Sequence, residues 1–142
     1  MKTIRLLLGS SEAIFNALIT TAVQKVCGQR ATVRCTTTVR VDEFLAKACA
    51  EDFHLVIFIA PDNLLPDPAQ PAGRGPLQEA LRIVHTIRAS RSFPIIVLSS
   101  QPEWSRALLG AGVNRFLSLP VNPADLEEAM AECLSPSLAG CC

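Results

Sequence analysis

A continuous apolar run near the middle of the chain, Leu55–Ala60, limits the possible folds more than any other segment. It reads Leu-Val-Ile-Phe-Ile-Ala, without the alternation of polar and apolar residues that a half-exposed strand shows. Strands of parallel sheets have this pattern when helices cover both faces, because every side chain is then buried. The run therefore predicts a strand at the centre of a parallel sheet.

Further short β-type runs alternate with helical patterns on both sides of this central run. The other predicted strands are residues 3–8, 31–39, 94–99 and 115–119. The predicted helices span about 11–26, 41–50, 77–89, 101–110 and 122–134. Such alternation is typical of an α/β domain with a parallel sheet between two helical layers. We predict a single (βα)5 domain with a five-stranded parallel sheet, and the sequence shows no internal repeat.

Two helix starts carry recognisable signals. Ser10 or Ser11 follows Gly9 and is predicted to cap the first helix, whose buried stripe is predicted to be Ile14, Leu18, Ala22 and Val26. Asn122-Pro123-Ala124-Asp125 supplies a cap, a proline at the first helical position and a carboxylate in the first turn of the last helix. Leu126, Met130 and Cys133 or Leu134 are predicted to form the buried face of that helix.

The composition excludes several classes of partner. Thirteen basic residues balance thirteen acidic ones, and neither sign forms a block, so we expect no direct binding to nucleic acid or to an anionic membrane. The longest apolar runs are far shorter than the roughly 20 residues that cross a bilayer. The first residues also lack an apolar stretch long enough for a signal peptide, and we therefore expect a cytoplasmic location.

The six cysteines do not form a metal-binding pattern. Cys27, Cys35, Cys49 and Cys133 are widely spaced, without a C-x-x-C pair, and are predicted to be small buried residues. Cys141 and Cys142 end a tail, residues 136–142, that is predicted to be flexible. A terminal Cys-Cys resembles a prenylation signal of small GTPases, but other GTPase features are absent, so we expect exposed, oxidisable thiols.

A long proline-rich segment follows the central strand. Residues 61–76 contain five prolines and two glycines, which exclude a helix or an interior strand. Loops of this length are usually functional or mobile. A ligand-binding loop at the carboxyl edge of the sheet and a tolerated surface insertion both remain open.

Three segments resemble the receiver domains of bacterial response regulators. Pro-Ile-Ile-Val-Leu-Ser-Ser at 94–100 is similar to their fourth strand, and Leu-Val-Ile-Phe-Ile at 55–59 is similar to their third. Ala-Gly-Val-Asn-Arg-Phe-Leu-Ser-Leu-Pro at 111–120 resembles the segment around their fifth strand. The resemblance covers about residues 1–134 and implies a flavodoxin-like receiver fold, with a receiver-like domain at 1–135 and a tail at 136–142.

The resemblance also assigns positions to the phosphorylation site, and most of them depart from the family's pattern. Ser99 falls at the hydroxyl switch residue and Phe116 at the switch aromatic, although both could simply close the carboxyl end of the sheet. The metal-binding acids fall at Gly9 and Ser10, the phosphoacceptor at Ile59 and the conserved lysine at Leu119. Asp62, three residues beyond Ile59, is a less favoured acceptor because Pro61 precedes it. Since nucleophile, metal ligands and lysine are all replaced, we predict neither catalysis nor a bound metal or cofactor.

These departures lead to two hypotheses. The first is a pseudo-receiver that acts as a phosphorylation-independent interaction module in bacterial signal transduction. Its partners would be a histidine kinase, an effector or a second copy of the chain, bound through a surface that includes Trp104, Arg106 and Arg115. The alternative is a sensor that binds a small molecule or anion between Gly9, Ser10, Ile59, Ser99 and the long loop.

Overall fold

The computed structural model describes residues 2–10, 12–60 and 76–138. The strands are β1 (Lys2–Gly9), β2 (Ala31–Thr38), β3 (Leu55–Ala60), β4 (Ile95–Ser99) and β5 (Arg115–Ser118). The helices are α1 (Ala13–Cys27), α2 (Val41–Ala50), α3 (Pro76–Arg88), α4 (Ser105–Ala111) and α5 (Pro123–Leu138), and a 3-10 turn (Pro102–Trp104) precedes α4. Most of the proline-rich segment predicted at 61–76 lies outside the described residues, and its last residue, Pro76, begins α3.

The five strands form one parallel sheet in the order β2-β1-β3-β4-β5. This order is that of flavodoxin-like folds, and the predicted α/β class and (βα)5 architecture are confirmed. Strand β3 occupies the centre, as its continuous apolar run predicts, and its residues 55–59 are all buried.

Two apolar cores lie on the two faces of the sheet. The first, here named the α1/α5 core, includes Ile57 and Ile59 of β3 together with the buried sides of α1 and α5. The second, the α2/α3/α4 core, includes Val56 and Phe58 of β3 together with the buried sides of the other three helices. Because successive side chains of a strand point to opposite faces, β3 contributes to both cores.

The predicted buried stripe of α1 is partly wrong. Ile14 is 82% exposed, and the buried residues of the helix are Ile19, Ala22, Val23 and Cys27. An α-helix has 3.6 residues per turn, so positions spaced strictly four apart drift around the helix by about 40° per step. A stripe from Ile14 to Val26 therefore leaves the buried face at its ends, and only Ala22 of the predicted set is fully buried.

The last two helices also differ from their predicted bounds. The pattern from Gln101 predicts one helix, but residues 102–104 form the 3-10 turn and α4 begins at Ser105. Helix α5 continues to Leu138, so residues 136–138 of the predicted flexible tail are helical. Pro136 lies in the last turn of this helix, and the buried Leu134 holds the preceding turn on the core. Residues 139–142, with Cys141 and Cys142, lie outside the described residues.

The start of α5 follows the prediction. The Oδ1 atom of Asn122 accepts a hydrogen bond from the Ala124 backbone N–H at 2.8 Å, which caps the helix. Leu126, Met130, Cys133 and Leu134 are buried, as the pattern predicts.

A histidine directly before β3 is hydrogen-bonded to the middle of β1. The Nδ1 atom of His54 accepts a hydrogen bond from the Arg5 backbone N–H at 3.0 Å, and the His54 N–H donates to the Arg5 carbonyl at 2.9 Å. Burial lowers the pKa of His54, and the positive charges of Lys2 and Arg5 lower it further. Protonation would also place a hydrogen on Nδ1 and break the bond from Arg5.

This contact predicts a pH dependence of stability. Because the pKa of His54 is lower in the folded chain than in the unfolded one, the unfolded chain binds the proton more readily below about pH 6.5. We expect the free energy of unfolding, measured by urea denaturation, to fall as the pH drops from about 7 to 5.5. His54→Asn keeps an acceptor for the Arg5 N–H but does not titrate, and it should flatten this slope. His85→Asn, at an exposed position of α3, serves as the control, and an unchanged slope in His54→Asn would contradict the prediction.

Candidate functional site

The candidate site lies at the carboxyl edge of the sheet, where β1 and β3 end side by side. Gly9 of β1 pairs with Phe58 of β3, and Ala60 of β3 pairs with Ser99 of β4. After β1 the chain continues to β2 on one flank of this strand pair, and after β3 it continues to β4 on the other flank. The strand order therefore reverses between β1 and β3. Open α/β sheets bind their ligands at such a reversal.

Ser10 is fully buried directly after β1, and its hydrogen bonds organise the turn into α1. Its N–H donates to the Thr38 carbonyl at 3.0 Å, and its Oγ accepts from the Glu12 N–H at 3.0 Å. The helix cap predicted at Ser10 or Ser11 is wrong for Ser10, because Glu12 is the capping residue and makes no side-chain cap. Ser11 lies outside the described residues. The hydroxyl of Ser10 therefore holds a turn, and neither Gly9 nor Ser10 offers a carboxylate.

The end of β3 is apolar on the side of α1 and α5. Ile59 is 1% exposed and belongs to the α1/α5 core. Leu119, the position that the receiver resemblance assigns to a lysine, is half-buried against the same core. The Leu119 N–H donates to the Ser99 carbonyl at 2.9 Å, and the peptide bond to Pro120 is cis. Ile59 and Leu119, two positions to which the receiver resemblance assigns charged groups, thus carry aliphatic side chains that pack on the α1/α5 core. Asp62 lies outside the described residues.

Ser99 and Phe116 lie on neighbouring strands near this edge. Ser99 is fully buried, and its Oγ accepts a hydrogen bond from the Gln101 N–H at 3.1 Å. Phe116 pairs with Val97 in the sheet and is half-buried against the α2/α3/α4 core. Both side chains are therefore held by local structure, which fits the simpler interpretation that they close the end of the sheet.

Two further polar residues at this edge were not among the predicted site residues. Thr38 is 4% exposed at the end of β2, and its Oγ1 has no hydrogen-bond partner within the described part of the chain. The buried Oδ1 of Asn16 on α1 likewise has none, while its Nδ2 lies 3.5 Å from the Ser10 carbonyl. Sequence reasoning gave no signal for them, because only the pairing of β2 with β1 brings Thr38 beside Gly9.

The predicted interaction residues occupy one side of the domain. Trp104 is half-buried against the α2/α3/α4 core, so part of its ring is structural, whereas Arg106 on α4 is exposed. Leu109, one turn further along α4, is 44% exposed. Arg115 on β5 forms an ion pair with Glu132 of α5. This surface, here named the α4 face, therefore combines exposed apolar and charged groups.

The cysteines within the described residues lie at scattered positions and form no disulfide bond with one another. Cys27 and Cys133 are buried as predicted, whereas Cys35 and Cys49 are only half-buried, because they lie near the edges of the cores. Burial raises the pKa of Cys133 to about 11, so this thiol stays protonated at neutral pH. Residues 2–10, 12–60 and 76–138 contain no cluster of three His, Cys, Asp or Glu side chains that could hold a metal ion.

None of the described helices is both long enough and apolar enough to span a bilayer.

The chain resembles known proteins in structure. No protein-family model matches the sequence, and no curated protein matches it. Solved structures do match. The receiver domain of the sensor histidine kinase PA1611 from Pseudomonas aeruginosa, which has a magnesium ion in its active-site cleft, superposes with a TM-score of 0.68 at 17% identity and covers 94% of this chain and 98% of its own.

Two other similar structures come from different organisms. A CheY-like receiver domain protein from Methanospirillum hungatei has a TM-score of 0.65 at 21% identity, covering 98% of this chain and 99% of its own. The pilus assembly protein CpaE from Caulobacter crescentus has a TM-score of 0.67 at 16% identity, covering 91% and 98%. Likeness at these identities concerns the fold. The chain has the flavodoxin-like (βα)5 fold of response regulator receiver domains.

Proposed function

We propose that this chain is a receiver-like interaction module of bacterial signal transduction that does not accept a phosphoryl group. The observation that carries the proposal is the burial of Ile59 in the α1/α5 core, at the strand end where a receiver has its reactive aspartate. An isoleucine side chain has no oxygen that could attack a phosphorus atom.

The chemistry of phosphoryl transfer to a carboxylate supports this conclusion. The reaction needs a nucleophile, a hard cation held by oxygen ligands, and positive charge near the transferred oxygens. Gly9 and Ser10 supply no carboxylate for the cation, and the Ser10 hydroxyl is engaged with the Glu12 N–H. Leu119 supplies no ammonium group. A domain with these residues keeps the scaffold for contacts with other proteins and lacks the phosphorylation switch.

The α4 face is the surface that we assign to these contacts. Arg106 and Leu109 are exposed there, and Glu103 and Glu128 are exposed on neighbouring segments. Charges of both signs around apolar groups can complement the same surface of a second copy across a two-fold axis. A histidine kinase or an effector could use the same face, and a second copy is the partner that is simplest to test.

A second candidate function is favoured by the Oγ1 of Thr38 and the Oδ1 of Asn16, which have no hydrogen-bond partner among the described residues. Buried polar atoms usually have hydrogen-bond partners, and a small molecule at the carboxyl edge would supply them. The two functions differ in one measurable property, since only a ligand-binding domain gains thermal stability from a nucleotide, a flavin or a quinone.

Ile59→Asp tests whether the end of β3 can accommodate a carboxylate. The neutral variant Ile59→Asn should lose about 2 to 5 kcal/mol of unfolding free energy, as truncations of buried aliphatic side chains do. Ile59→Asp should match it near pH 4 and become less stable than it as the pH rises, because burial in an apolar core raises the pKa of the carboxyl group. Each unit by which that pKa is raised adds about 1.4 kcal/mol to the difference at neutral pH.

The measurement is urea denaturation of both variants between about pH 4 and 7.5, within reach of the ordinary pKa of aspartate. Ile59→Val, which should cost about 1 kcal/mol, checks that the site is tightly packed. Equal stabilities of the Asp and Asn variants at neutral pH would mean that the site solvates a carboxylate, and this would contradict the proposal.

Acetyl phosphate tests the missing phosphorylation directly. Incubation of the full chain with acetyl phosphate and magnesium should leave its intact mass unchanged, because Ile59 stands at the position that the receiver resemblance assigns to the phosphoacceptor. The variant Asp62→Asn is the matched control for the carboxylate that follows the end of β3 by two residues. An adduct in the natural chain that disappears in Asp62→Asn would overturn the proposal.

Self-association tests the assigned interaction face. Sedimentation velocity over a range of concentrations should show a dimer, and Arg106→Glu should weaken it about tenfold, which corresponds to about 1.4 kcal/mol. Ile14→Ala removes an exposed apolar side chain from α1 and should leave the dimer unchanged. A chain that stays monomeric, or a dimer that Arg106→Glu does not weaken, would rule out the α4 face as a self-association surface.

A further inference from the structure

The two edge strands of the sheet differ in how much backbone they expose. Strand β5 has four residues and is soon followed by Pro120, so it offers little to another strand. Strand β2 has eight residues in unbroken register with β1, from Lys2 opposite Ala31 to Gly9 opposite Thr38. Within the described residues no strand pairs with the outer side of β2. A long, regular edge without proline is a template for another extended chain.

The hydrogen bonds of β2 show which backbone groups face outward. The Thr38 carbonyl accepts from the Ser10 N–H, so the backbone of Thr38 points toward β1. The N–H and C=O groups of one strand residue point to the same side, and the side alternates along the strand. The backbone groups of Val33, Cys35 and Thr37 therefore point away from the sheet. They supply three donors and three acceptors for a neighbouring strand.

The charge next to this edge is positive. Arg34 is exposed at the middle of β2, pairs in register with Arg5 on β1, and makes no ion pair within the described residues. Arg5 is already engaged by Glu51, and Asp52 is engaged by Arg91. Residues 29–40 contain no Asp or Glu. The outer strand thus lacks an anionic partner for Arg34.

We propose that the outer edge of β2 binds an extended segment of a partner protein as a sixth strand, with a carboxylate of that segment beside Arg34. Backbone hydrogen bonds to the outward groups would supply affinity, and Arg34 would select acidic segments. A second copy of β2 fits less well, because antiparallel pairing about the middle of the strand would bring the Arg34 side chains of the two copies near each other, and residues 29–40 offer no acid between them. This edge is separate from the α4 face, so the two surfaces can be tested independently.

The test uses a synthetic peptide of alternating Thr, Val and Glu with blocked ends, added to the full 15N-labelled chain. Amide hydrogen exchange measured by NMR should slow at the N–H groups of Val33, Cys35 and Thr37, and the ladder amides of β5 should not change. A peptide with Lys in place of Glu should bind more weakly.

Two variants distinguish the contribution of the backbone hydrogen bonds to peptide binding from the contribution of the Arg34 charge. Arg34→Glu should weaken binding of the acidic peptide by roughly threefold to tenfold, which corresponds to about 0.7 to 1.4 kcal/mol. It should strengthen binding of the Lys peptide, because the reversal replaces a cross-strand attraction by a repulsion for one peptide and does the opposite for the other. Thr37→Pro removes an outward donor that the β1 ladder does not use, and edge strands tolerate such a proline. It should reduce binding of both peptides.

Lys25→Glu is the matched control, because Lys25 lies on the side of α1 that faces Glu127 of α5. It should leave binding unchanged. Absence of slowed exchange at Val33, Cys35 and Thr37 at millimolar peptide, or equal binding of both peptides to Arg34→Glu and to the natural chain, would overturn the proposal.

Discussion

The side chains of β3 alternate between two apolar cores, one on each face of the sheet. The burial of β3 on both faces determines how the other strands and the helices are arranged around it. Ile57 and Ile59 are buried under α1 and α5, while Val56 and Phe58 are buried under the helices of the opposite layer. A strand that is buried on both faces must lie inside the sheet, with neighbours on both sides to pair its backbone. Strands β1 and β4 supply those neighbours, and β2 and β5 become the edges.

The same burial determines the chemistry of the carboxyl edge. The central strand of a receiver ends in an aspartate that must be accessible to water, a cation and a phosphoryl donor. Here Ile59, the last residue but one of β3, extends the α1/α5 core to the end of the strand, and Leu119 packs against the same core. The hydroxyl oxygens of Ser10 and Ser99, which lie nearby, accept backbone hydrogen bonds that hold local turns. Among the described residues, Gly9, Ser10, Ile59 and Leu119 therefore contribute packing and hydrogen bonds to this edge and no charge.

The success of sequence reasoning depended on how strongly local pattern determined each element. The bounds of β3 and α2 were predicted correctly, because each has a regular apolar pattern, which is continuous in β3 and confined to one helical face in α2. The stripe of α1 failed at Ile14, since spacing by four does not follow the helical period over several turns. The structural role of Ser10 and the unpaired oxygen of Thr38 could not be predicted, because both depend on the register between β1 and β2. That register is a tertiary property, which neither residue's neighbours in sequence reveal.

The central claim is that the end of β3 is closed to phosphoryl chemistry by an aliphatic side chain. Two-dimensional 1H–15N NMR spectra of the full chain, recorded with and without magnesium and beryllofluoride, test it most directly. The account predicts unchanged amide signals for Gly9, Ser10, Ile59, Ser99 and Leu119. Saturable shifts of these signals that require both magnesium and beryllofluoride would contradict it.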